Sequence, residues 1–203
     1  MKLPCLLQFR ILKVALTSLF SRAYTTKFPK GSYEPIEQYR GRPRYDEDEC
    51  IGCGACSYVC PSNCIDIIDD VSSDPPMRRL VQHLDSCIQC GQCERYCTSE
   101  KGIKCTTEYD YVGFAPEDFE EKVEKELLIC EDCKGIIAPV DQLRWLAKRL
   151  GPLAFANPTL MLISHKELAV VDEGVKAEEG ASPRPGRISI QCPRCRRKNA
   201  LEV

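Results

Sequence analysis

Two stretches of the chain set thiols at fixed intervals. Residues 50–64 read CIGCGACSYVCPSNC, and residues 87–97 read CIQCGQCERYC. Each holds the run C-x-x-C-x-x-C-x-x-x-C, at Cys50, Cys53, Cys56 and Cys60 and again at Cys87, Cys90, Cys93 and Cys97. Thiolates are soft ligands, and a chain curling through three cysteines at two-residue intervals can wrap one face of a cubane [4Fe–4S] group. Gly52, Gly54 and Gly91 permit close backbone approach, so that neighbouring N–H groups can donate to the sulfurs. The fourth thiol of each run lies one residue further on and is carried toward the other run. The expected ligand sets are therefore exchanged: Cys50, Cys53, Cys56 and Cys97 for one centre, and Cys87, Cys90, Cys93 and Cys60 for the other.

Further thiols surround this pattern. Cys64 follows Cys60 by four residues and Cys105 follows Cys97 by eight. Both fall where the chain should return to a small sheet beneath the clusters, and both read as buried, small hydrophobes rather than ligands. Cys130-x-x-Cys133 and Cys192-Pro193-Arg194-Cys195 form two hooks far apart in sequence. Four thiolates in two hooks match a closed, tetrahedral structural zinc site. The same donors could hold a single iron or another cluster, because cysteine number does not choose the metal. Cys5 stands alone.

The remaining composition narrows the function classes. With 203 residues, 15 cysteines and a formal net charge of −2, the chain has room for one or two modest domains and no overall basic excess for nucleic acid. Arg194, Arg196, Arg197 and Lys198 form a short basic run without interleaved aromatics, which reads as a solvated or partner-facing tail. No secretion signal is evident, so repeated C-x-x-C units favour metal ligation over disulfides. His83 and His165 are the only histidines, and neither sits in a hydrolase or nucleophile motif, so no catalytic residue is assigned.

The elements that position these residues follow from periodicity. MKLPCLLQFRILKVALTSLF is apolar but interrupted by Arg10 and Lys13, and its apolar runs are too short to span a bilayer. Leu6, Leu7, Ile11, Val14, Ala15 and Leu19 approximate one helical face, so residues 1–24 are expected to form an amphipathic docking helix, on a membrane surface or a partner. Residues 25–44 are an extended connector rich in Pro, Gly and charge. Residues 45–112 hold the two cysteine runs, with a turn at 72–76 and a strand across 78–85. In 113–203 the spacing of Phe119, Val123 and Leu127 after Pro116 predicts a helix over 116–129. A second helix over 141–150 should stop at Gly151 and Pro152. Residues 172–187 should be a flexible loop. The fold class is α+β, with a helical C-terminal extension closed by the four-cysteine site.

Together the cysteine runs, TTKFP and YRGRP ahead of them, EYDYVGFAPEDF after them and the two hooks resemble the two-cluster, ferredoxin-like subunit of respiratory complex I and of membrane-bound [NiFe] hydrogenases. The longer match is most similar to the formate hydrogenlyase-type subunit. Thr98 departs from that pattern, standing where the first run has Pro61, and so does Cys64. The resemblance carries the eight cluster cysteines over position by position. It implies an electron relay without a catalytic site of its own, bridging a donor protein and hydrogenase or complex I-like peripheral-arm subunits. It further implies a cytoplasmic location, peripheral on the inner face of the cell membrane. The alternative is a freestanding, soluble ferredoxin-type carrier.

Overall fold

A computed structural model of the chain describes residues 8–25, 27–31, 33–168 and 189–201. Its contacts divide it into two units, one ending at Glu37 and one beginning at Gln38. The expected loop at 172–187 and Cys5 lie outside the described residues.

The first unit contains helix α1, Phe9–Phe20, in which no residue is buried. At 100° per residue, Phe9, Ile11, Leu12, Ala15, Leu16, Leu19 and Phe20 cover about half its circumference, while Arg10, Lys13 and Thr17 share the opposite side. The apolar face thus runs through Leu12 and Leu16, and Val14 falls outside it. Among the described residues, no helix is long and apolar enough to cross a membrane.

The second unit begins with two interlocked repeats. The first comprises strand β1 (Pro43–Tyr45), the cysteine loop, the short helix α2 (Ala55–Tyr58) and strand β2 (Ile65–Asp70). The second comprises β3 (Met77–His83), its cysteine loop, α3 (Gln92–Arg95) and β4 (Ile103–Cys105). Each repeat's first strand pairs with the other's last: β1 runs antiparallel to β4, with Tyr45 opposite Ile103, and β2 runs antiparallel to β3, with Ile65 opposite Gln82. This exchange places the end of each cysteine run beside the start of the other. Leu80, Val123, Ile65 and Ile103 fill the core between them together with Cys50, Cys56, Cys64 and Cys93.

The helix expected over 116–129 is a correction. Pro116–Phe119 does form one 3₁₀ turn, but Glu120–Ile129 is a strand, β5, paired with β3 so that Val123 faces Leu80. Apolar residues four apart satisfy a period of two as well as 3.6, and here the exposed Lys122, Glu124 and Glu126 alternate with the inward-facing positions. Strand β6, Ile136–Pro139, extends the sheet to the order β2-β3-β5-β6. The extension is therefore mixed rather than helical. Helix α4, Val140–Leu150, follows as expected and ends at Gly151 with φ +55°. A 3₁₀ segment (Gly151–Ala156), α5 (Pro158–Glu167) and α6 (Pro193–Leu201) complete the described chain. Leu143, Ala154, Leu160 and Ile163 form a second small core under α4 and α5.

Candidate cluster and metal centres

The structure brings the eight predicted cysteines together in two groups of four. Cys50, Cys53, Cys56 and Cys97 line one cavity. Cys60, Cys87, Cys90 and Cys93 line a second, and Cys64 joins them. In each group three thiols come from one run and the fourth from the other. Ile51, Leu80 and Ile103 wall the first cavity, and Ile65 and Ile88 the second.

The local backbone repeats with the cysteines. Gly52 and Gln89, Gly54 and Gly91, and Asn63 and Glu100 each stand at the sequence offset that separates Cys50 from Cys87, and all six have positive φ. Gly54 and Gly91 cap α2 and α3 in the left-handed region, at φ 77° and 73°. A Cβ on Gly54 would stand 2.6 Å from Ile67 Cδ1, so glycine serves both conformation and closeness there. Hydrogen bonds follow the same register. The Gly52 N–H donates to Cys50 sulfur and the Gln89 N–H to that of Cys87, at 3.4 Å in the second case. Ser57 and Glu94 N–H groups likewise donate to Cys56 and Cys93. The hydroxyls of Ser62 and Ser99 each lie 3.5 Å from the last thiol of their run, Cys60 and Cys97. Two arginines pin the loops, Arg78 on the Gly52 carbonyl at 3.3 Å and Arg40 on that of Cys90 at 2.8 Å.

This donor set fits two [4Fe–4S] groups: four soft ligands each, apolar walls, and N–H groups already directed at sulfur. Burial raises the Cys56 thiol to about 11, chiefly by desolvating the thiolate, and raises Cys50 and Cys93 as well, the latter first through a hydrogen bond with Cys105. These thiols hold their protons until a metal displaces them, so cluster binding must release protons. Thr98 Oγ1 lies 3.4 Å from Cys53 Sγ, so the residue replacing the run's proline brings a hydroxyl to the first cavity.

Cys64 is 2 % exposed, as a buried small hydrophobe would be, yet its sulfur stands 3.4 Å from that of Cys60. Desolvation pushes its thiol up to about 12, so it is a protonated neighbour rather than a second thiolate. Two further wall residues had no motif to announce them. Tyr45 brings its hydroxyl to 3.7 Å from Cys56, and Gln82 brings Nε2 to 4.0 Å from Cys87. Their only sequence signal is position, since each precedes the first cysteine of its run by the same interval.

The two distant hooks also meet. The sulfurs of Cys130, Cys133, Cys192 and Cys195 all lie within 4.8 Å of one another, with Cys133 and Cys192 at 3.8 Å. Four thiolates around one ion at about 2.3 Å would stand about 3.8 Å apart, whereas the thiolates of a cubane sit on separate irons and are spread wider. The set fits one tetrahedral ion. Main-chain bonds tie the hooks together, from Glu131 N–H to Ile190 C=O at 2.9 Å and from Cys192 N–H to Cys130 Sγ at 3.3 Å. Burial opposes ionisation of Cys130, but N–H donors from Cys133, Cys192 and Asp132 outweigh it and hold the thiol near 6. His83 lies between Asp66 (3.1 Å) and Glu120 (3.6 Å), and His165 is exposed on α5. Arg196 of the basic run braces Asn157 Oδ1 at 3.0 Å, while Arg194, Arg197 and Lys198 are exposed.

Fold and thiol arrangement define a two-cluster, ferredoxin-like domain, and residues 49–101 match the family model of the 4Fe-4S dicluster domain. The similarity extends to NADH-quinone oxidoreductase subunit I of Helicobacter hepaticus (strain ATCC 51449 / 3B1), 38% identical over 72 residues, covering 32% of this chain and 34% of that protein. It extends also to NAD(P)H-quinone oxidoreductase subunit I of Prochlorococcus marinus (strain AS9601), 42% identical over 52 residues, covering 26% of this chain and 25% of that one. The chain thus spans about a quarter to a third of the length of these curated relatives. Among solved structures, a chain of the membrane-bound sulfane sulfur reductase, an archaeal respiratory membrane complex, aligns with 64% of this chain and 82% of its own at 21% identity and a TM-score of 0.37.

Proposed function

We propose that this protein is an electron-relay subunit of a membrane-associated oxidoreductase of the complex I or membrane-bound hydrogenase type. The observation that carries the reading is the exchange of fourth cysteines between two otherwise separate cavities. Cys50, Cys53, Cys56 and Cys97 would hold one [4Fe–4S] group, and Cys60, Cys87, Cys90 and Cys93 the other. Such groups, when bound, store and pass single electrons with little change of shape. The chain's own residues hold the thiols in place, direct N–H and O–H donors at the sulfurs, and exclude water with Ile51, Leu80 and Ile103. All eight thiols are committed as ligands on this reading, so no open position is left for a substrate and the chain has no catalytic site of its own.

The names of the quinone oxidoreductase relatives support placement in a larger assembly, with partners among hydrogenase or complex I-like peripheral-arm subunits and an electron-donor protein. The exposed apolar face of α1 supports peripheral contact with a membrane or partner, on the cytoplasmic side. Cys130, Cys133, Cys192 and Cys195 would hold one Zn²⁺ as a structural clip. The reading is tested by stepwise reduction of anaerobically purified protein, followed by EPR. Two reversible one-electron signals are expected, and a protein that shows none would refute the relay.

A further inference from the structure

The two repeats place one polar side chain each at equivalent positions beside the cavities, a half-buried phenol at Tyr45 and a buried carboxamide at Gln82. Tyr45 lies on β1 and Gln82 on β3, and each precedes its first cysteine by the same interval. Gln82 is 1 % exposed and lies between the apolar Val81 and the half-buried His83 on a strand that otherwise contributes Leu80 to the core. Its Oε1 is buried without a hydrogen-bond partner. Its Nε2 points at Cys87 Sγ from 4.0 Å, the outer edge of an N–H···S contact.

A buried carboxamide with an unpaired oxygen costs free energy that an apolar residue of similar size would not incur. Packing alone therefore does not account for glutamine here. What glutamine offers and leucine or methionine does not is a pair of N–H donors at the cavity wall. A thiolate at Cys87 fixes the amide with nitrogen inward, since oxygen facing sulfur would set two acceptors together. A thiolate at Cys56 would likewise take a hydrogen bond from the Tyr45 hydroxyl, 3.7 Å away in the neighbouring cavity.

Resting on the relay reading above, we propose that Gln82 is a positioning donor for the second centre, hydrogen-bonding the sulfurs of the group held by Cys60, Cys87, Cys90 and Cys93, and that Tyr45 is its counterpart at the first. A donor directed at sulfur favours the more negative, reduced state and raises the reduction potential. Two chemically different donors at matched positions give the chain a means of setting its two potentials separately. This makes the centres unequal within one fold.

The test is an EPR-monitored redox titration of the full chain with Gln82→Met and Tyr45→Phe, with iron content measured on each. Gln82→Met is expected to keep both centres and lower the midpoint of one of them. Tyr45→Phe should lower the midpoint of the other. Unchanged potentials in variants that retain both centres overturn this inference alone, as does a shift of the same centre by both substitutions. Gln82→Leu provides a second apolar side chain of different shape. Loss of one centre in both Gln82 variants, with unaltered circular dichroism, would make Gln82 a packing residue and also overturn the inference. A wild-type protein without two reducible centres would instead defeat the relay reading on which it rests.

Discussion

At the scale of single residues, the thiols divide by what surrounds each sulfur. Cys64 and Cys60 are 3.4 Å apart, yet Cys64 lies at the mouth of β2 with its main chain committed to the sheet, its carbonyl accepting from His83 N–H at 2.7 Å. Cys64→Ala should therefore retain both EPR signals and full iron, at a stability cost of about 1 kcal/mol for the lost packing. Disappearance of one signal would make Cys64 a ligand. The cysteine register was legible in the sequence because ligand spacing is a one-dimensional property. Arg40 and Arg78 were not, because their contacts with Cys90 and Gly52 join residues far apart in sequence, and Tyr45 and Gln82 carried no more than a shared offset from the first cysteine of each run.

At the scale of elements, the cysteine loops depend on left-handed turns, and an ion pair joins β5 to α4 in the extension. Gly54→Ala would place a methyl 2.6 Å from Ile67 Cδ1 at φ 77°. The strain is about 1–2 kcal/mol before any clash, and the variant should show lower cluster occupancy by iron analysis as well as a lower melting temperature. Lys125 Nζ, on β5, meets Asp141 Oδ2 of α4 at 3.0 Å, and Arg144 meets its other oxygen at 3.0 Å. Burial works against the Asp141 carboxylate, but these two cations outweigh it and hold its pKa below the usual value of 3.8. Its contribution is thus full above the unfolded carboxylate's pKa and lost as pH falls through the lower folded value. Asp141→Asn should lower stability by about 1 kcal/mol at pH 7, and the difference from wild type should close at acid pH in chemical denaturation. The strand over 120–129 escaped sequence reading because Phe119, Val123 and Leu127 obey both periods, and only pairing with β3 selects one. The helix over 141–150 was legible because its glycine and proline stop is local.

At the scale of the whole molecule, one chain gathers its thiols into three groups. Two are interlocked through β1–β4 and β2–β3 pairing, so neither cluster set can be completed by one repeat alone. The third joins hooks from opposite ends of the extension, and Arg196 of α6 ties it to Asn157 at the start of α5. That closure was foreseeable as chemistry, from two C-x-x-C units, but not as geometry, because nothing in sequence brings residue 133 to residue 192. The measurement that tests the account most directly is iron, acid-labile sulfide and zinc per chain on anaerobically purified protein. About eight iron, about eight sulfide and about one zinc are expected. About four iron, or iron without labile sulfide, would contradict two interlocked cubanes, and about twelve iron without zinc would contradict the single-ion reading of the hooks.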